Sequence, residues 1–81
     1  MKLNKNIKIR DENFGGLLAN IDNGQIYKIN KSAKLILNLL TDYKNTEDLI
    51  KNLEKEYELN EKTKKEIKEF ISLLKEKKII L

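Results

Sequence analysis

The sequence predicts an α+β domain in which a three-stranded antiparallel β-sheet precedes three α-helices. Three observations predict it. Apolar residues recur with a strand-like period up to about residue 29 and with a helical period from Asn30 onward. An Asn23-Gly24 pair sits between two short apolar runs, a strong hairpin signal. Proline is absent, so nothing interrupts the helical stretches. Strands segregated from helices, rather than alternating with them, define the α+β class.

The elements follow in order. Ile7-Lys8-Ile9-Arg10 alternates apolar and polar residues, as a half-buried strand does. Asp11 to Gly16 reads as a turn-rich link, with Gly15 and Gly16 open to backbone angles other residues resist. Leu17 to Ile21 reads as the second strand. Asp22-Asn23-Gly24 reads as a type I′ hairpin turn, which needs positive φ at both central residues. Gln25-Ile26-Tyr27-Lys28-Ile29 is the return strand, with Ile26, Lys28 and Asn30 on one side and Tyr27 and Ile29 on the other. Asn30 or Ser32 caps the first helix, whose stripe is Ala33, Ile36, Leu37 and Leu40. Thr46 reads as the cap of the second helix, which carries Leu49, Ile50, Leu53 and Tyr57. Asn60 caps the third, with Ile67, Phe70, Ile71 and Leu74 on its core face. The apolar Ile79-Ile80-Leu81 packs back on the body. Two short helices followed by a longer one also fit a helix-turn-helix with a β wing.

Composition narrows the function. The chain has 81 residues, so residues 1–81 are expected to form a single domain. A chain this short buries roughly 60% of the surface its unfolded form exposes, leaving no deep enclosed pocket. There is no Cys and no His, which excludes nucleophile–His pairs, thiolate metal sites and His-ligated metals. No apolar run reaches the roughly 20 residues that span a bilayer, and the N-terminus lacks a signal-peptide core. A cytoplasmic protein without a membrane partner, a cofactor or an enzymatic activity is expected. The net charge is +4, from 17 basic and 13 acidic residues, well mixed along the chain. A mild preference for acidic partners follows.

Two features are candidates for binding. The return strand is an edge of a three-stranded meander. An edge presents unpaired N–H and C=O groups that can template a further strand. The same strand also reads as an ordinary edge guarded by the charge of Lys28. On the third helix, Lys64, Lys65 and Lys68 lie beside Ile67 and Ile71. They fit a groove with an apolar floor and a cationic rim, suited to Leu or Ile with Asp or Glu. They also fit a solvated face, because Glu66 and Glu69 pair locally with the lysines. A winged-helix DNA-binding regulator is the rival reading. Base recognition relies on Arg, Asn and Gln, however, and the only Arg is Arg10.

Three segments carry a family resemblance: Arg10 to Leu18 with its Phe14-Gly15-Gly16-Leu17-Leu18 core, Gly24 to Asn30, and Ser32-Ala33 with Ile36-Leu37-Leu39-Leu40. With Thr46-Glu47-Asp48-Leu49 and the closing Ile79-Ile80, they make nearly the whole chain resemble the PqqD-like family. These are the peptide chaperones, or recognition elements, of ribosomally made and post-translationally modified peptides (RiPPs). The resemblance implies a winged helix-turn-helix fold with three strands and three helices. It implies that a precursor's leader peptide adds as an antiparallel strand to strand three, in the cleft beside helix three. By position, the peptide-binding residues are then Gln25, Ile26, Tyr27, Lys28, Ile29 and Asn30, facing Lys64, Ile67, Lys68 and Ile71. It further implies a separate modifying enzyme, often a radical SAM maturase; the scarcity of Arg already argues for no nucleic-acid partner. The open edge allows a monomer or a weak homodimer.

Overall fold

The computed structural model describes residues 1–81. Strands β1 (Ile7–Glu12), β2 (Gly15–Asn20) and β3 (Ile26–Asn30) form an antiparallel sheet in that order. Helices α1 (Lys31–Leu40), α2 (Thr46–Glu56) and α3 (Glu61–Glu76) follow. The α+β class and the element order are as the sequence predicts.

Both turns differ from expectation. Asp11 and Glu12 continue β1, and Gly15 and Gly16 begin β2, so only Asn13 and Phe14 connect the two strands. The link is shorter than its composition suggests because Gly15 sits between two backbones: it pairs with Glu12 on one side and Asn30 on the other. The second hairpin is not a type I′ turn. Only Gly24 has a positive φ, at 73°, while Asn23 does not. Gly24 N–H donates to Asn20 C=O at 2.8 Å, and Asn20 N–H donates to Gln25 C=O at 2.9 Å. This is the bulged closure of a longer loop, with the left-handed glycine at the bulge.

The register places Ile7, Ile9, Leu18, Tyr27 and Ile29 on one face of the sheet. That face meets the helices. Twelve buried apolar residues make the core, including Leu18 from the sheet, Leu37 and Leu40 from α1, Leu49 and Leu53 from α2, and Ile71 and Leu74 from α3. The chain's last residues complete it. Lys78 takes a left-handed φ of 59° and turns the chain back, burying Ile79 and Ile80. Leu3 pairs with Ile80, and Leu81 N–H donates to Lys2 C=O at 2.8 Å.

Each helix begins on an asparagine. Asn30, Asn45 and Asn60 accept from the N–H groups of Ala33, Asp48 and Thr63 at 2.8, 2.9 and 2.8 Å. Thr46 is thus the first helical residue rather than the cap. The Asn45 side chain satisfies one of the orphan donors of the first turn. Asn45→Ala should lower unfolding free energy by about 1 kcal/mol, measured by urea denaturation. A midpoint equal to wild type would show that the cap contributes nothing.

Candidate functional site

The sheet offers one edge to a cleft. Leu18, Tyr27, Lys28, Ile29 and Asn30 form its floor and near wall, and Phe70, Leu73 and Leu74 of α3 with Lys77, the residue that caps it, form the far wall. The cleft has a volume of about 280 Å³. Beside it lies a larger groove of about 540 Å³ between α1, α2 and the first half of α3, lined by Leu35, Ile36, Leu53, Leu59 and Ile67 among others. Asn30, Ala33 and Phe70 border both.

The hydrogen-bonding state of β3 follows from its register. Asn20 and Gln25 meet as a hydrogen-bonded pair. In an antiparallel ladder such pairs alternate with non-bonded ones. The pairs Leu18–Tyr27 and Gly16–Ile29 are therefore the bonded ones. Tyr27 and Ile29 point their N–H and C=O groups at β2. Ile26 and Lys28 point theirs away from the sheet, along the open edge. No other backbone group bonds to Ile26 or Lys28 outside the ladder.

The expected residues of strand three fall at this edge in three roles. Ile26 and Lys28 carry the outward backbone groups, and their side chains lie on the sheet face turned from the helices. Ile26 is 67% exposed, and the Lys28 ammonium lies 4.5 Å from the centroid of the Phe14 ring. Tyr27 and Ile29 are half-buried and line the cleft. Gln25 and Asn30 bracket the strand. Gln25 accepts a hydrogen bond from the Tyr27 hydroxyl, while the Asn30 side chain is engaged as the α1 cap.

The expected residues of helix three are not gathered at the cleft. Ile71 is 1% exposed and belongs to the core. Ile67 is buried and borders only the larger groove. Lys64 pairs with Glu54 at 2.7 Å and Glu61 at 3.6 Å, and its hydrogen bond to Glu54 holds the ammonium above its usual pKa. Lys68 is exposed and lines neither cavity. The cleft wall is instead the neighbouring stripe Phe70, Leu73 and Lys77, spaced i, i+3 and i+7. The core claims the Ile67–Ile71–Leu74 stripe, so the exposed wall must be the one beside it. Phe70, placed on the core face by its periodicity, is half-buried and Leu73 is 44% exposed, and no pattern within the helix separates this wall from the core stripe.

No group of three or more His, Cys, Asp or Glu side chains is arranged to hold a metal ion. No helix is long and apolar enough to cross a membrane.

An α+β domain with an open strand edge beside a helix-walled apolar cleft is a distinct class of small protein, and sequence and structure comparisons place the chain within it. Residues 15–80 match the family model described as coenzyme PQQ synthesis protein D (PqqD). The chain belongs to this PqqD family. It is similar to a solved lasso peptide synthetase B1 complexed with the leader peptide, at 26% identity and a TM-score of 0.80, over 99% of this chain and 95% of that one. It shares the fold of TbiB1 in complex with the TbiA(beta) leader peptide, at 18% identity and a TM-score of 0.78, over 98% of this chain and 93% of that one. No curated protein matches the sequence significantly.

Proposed function

We propose that this chain binds the leader segment of a ribosomally made precursor peptide by strand addition to β3 and presents it to a modifying enzyme. The observation that carries this reading is the open edge: the outward N–H and C=O groups of Ile26 and Lys28 border a cleft that an added strand would roof. The likeness to a relative solved with its leader peptide supports the same reading. Backbone hydrogen bonds supply sequence-tolerant affinity, and the apolar wall of Phe70 and Leu73 supplies selection among side chains. In this reading the chain holds the peptide and the modifying enzyme supplies the chemistry. Its family resemblance points to a radical SAM maturase as the enzyme served.

The test is a titration of isotopically labelled protein with the precursor peptide encoded beside it. Amide shifts should concentrate at Ile26 to Asn30, Phe70, Leu73 and Lys77. Shifts confined to α2 or to β1 would overturn strand addition at β3. A DNA-binding role predicts affinity that falls steeply with salt. Arg10, the one arginine and the residue type most used to read bases, is paired with Glu12 at 2.6 Å, so no sequence-specific retardation of duplex DNA is expected.

A further inference from the structure

The cleft and the neighbouring groove carry opposite charges on their rims. At the end where β3 begins, the Lys77 ammonium lies 5.4 Å from the centroid of the Tyr27 ring. Lys77 makes no ion pair: the chain's basic side chains in ion pairs are Arg10, Lys34 and Lys64. At the other end, past Asn30, the larger groove is rimmed by Glu58 and Glu66 around an apolar floor that includes Leu59 and Phe70. An unpaired cation therefore borders one of two adjoining cavities, and a pair of carboxylates borders the other.

We infer that the guest is a peptide bearing an acidic residue that sits against Lys77 and Tyr27, together with a large apolar residue that enters the groove beyond Asn30. This rests on the strand-addition reading and adds the guest's chemistry to it. Both guest side chains must point toward the helices, the direction taken by Tyr27 and Ile29. Side chains of a strand alternate between faces, so the two lie an even number of positions apart. The groove begins just beyond Ile29, which makes the separation about four residues. If the guest runs antiparallel to β3, its acidic residue lies C-terminal to its apolar one. Basic residues in the guest belong at the opposite end, beside Glu58 and Glu66.

Lys77 is exposed and lies at the end of α3, so changing it leaves the core untouched. A displayed library of random 14-residue peptides, panned on the wild-type protein and on Lys77→Glu and Lys77→Gln, tests the inference. Peptides enriched on wild type should carry Asp or Glu about four residues C-terminal to a Leu, Ile, Phe or Tyr. Lys77→Glu should reverse the preference to Lys or Arg at that position, and Lys77→Gln should abolish it. For one enriched peptide, Glu→Lys exchange should weaken binding to wild type about fivefold, the range for a partly exposed ion pair. Restoring affinity by pairing that peptide with Lys77→Glu would complete the swap. Enriched peptides that shift the β3 amides yet show no acidic position overturn this inference and leave strand addition standing. Enriched peptides that leave the β3 amides unmoved, or no enrichment at all, overturn both.

Discussion

Gly15→Ala is expected to destabilise the domain by about 3 kcal/mol or more, enough to unfold a large fraction of a small protein. Gly15 has φ of 143°, a region that side-chain-bearing residues rarely occupy. A Cβ there would lie 2.3 Å from the Ile29 carbonyl oxygen and 2.4 Å from the Asn30 carbonyl carbon. Both are backbone atoms of the neighbouring strand, so relief requires β3 to leave β2. The two other glycines give the controls. At Gly16 the closest atom is the flexible Lys34 Cδ, at 2.7 Å, and at Gly24 nothing lies within 4 Å although φ is 73°. Gly16→Ala and Gly24→Ala should each cost about 1 kcal/mol. Urea titrations monitored by circular dichroism would rank the three. A Gly15→Ala midpoint no lower than that of Gly24→Ala would disprove the crowding argument.

The largest effect on binding is expected from Lys28→Pro. Its N–H points along the open edge, not into the β2 ladder, so removing it spares the sheet. An added strand would meet a proline ring where it needs a donor, and one of its carbonyls would stay unpaired. Loss of that bond and burial of its partner should lower affinity about tenfold to a hundredfold. Lys28→Ala, which removes only the side chain, should retain most of the affinity. Ile29→Pro should behave in the opposite way, since it removes a donor to β2: the fold weakens before binding can be read. Fluorescence anisotropy with a labelled precursor peptide, on variants first checked by circular dichroism, separates these cases. Equal affinity of a folded Lys28→Pro variant and wild type would refute strand addition through this edge.

Much of this was legible in the sequence, for reasons that can be named. The change of apolar period near Asn30 located the boundary between sheet and helices, and the alternation in Ile26–Asn30 assigned Tyr27 and Ile29 to the inner face. Two kinds of information were not legible. Glycine has no side chain to show periodicity, so Gly15 and Gly16 read as a link when they begin a strand. The wall of the cleft was hidden because a stripe of Ile67, Ile71 and Leu74 satisfies both a core and a binding face when read by periodicity alone. Only the placement of α3 against β3 shows that the stripe is spent on the core and that Phe70, Leu73 and Lys77 line the cleft. The N–H directions of Lys28 and Ile29 likewise depend on ladder phase, which is set by the bulge at Gly24 rather than by any pattern within β3.

If a peptide adds to β3 as proposed, the pairing of Gly15 with Asn30 couples its capture to the heat resistance of the domain. A strand laid on β3 exists only while β3 is held on β2, so the guest binds the folded chain and not the unfolded one. Its presence at a hundred times its dissociation constant adds about 2.7 kcal/mol to the unfolding free energy. The melting temperature therefore becomes a readout of guest concentration. A domain weakened at the Gly15 contact should recover much of its resistance to heat and protease when the peptide is supplied.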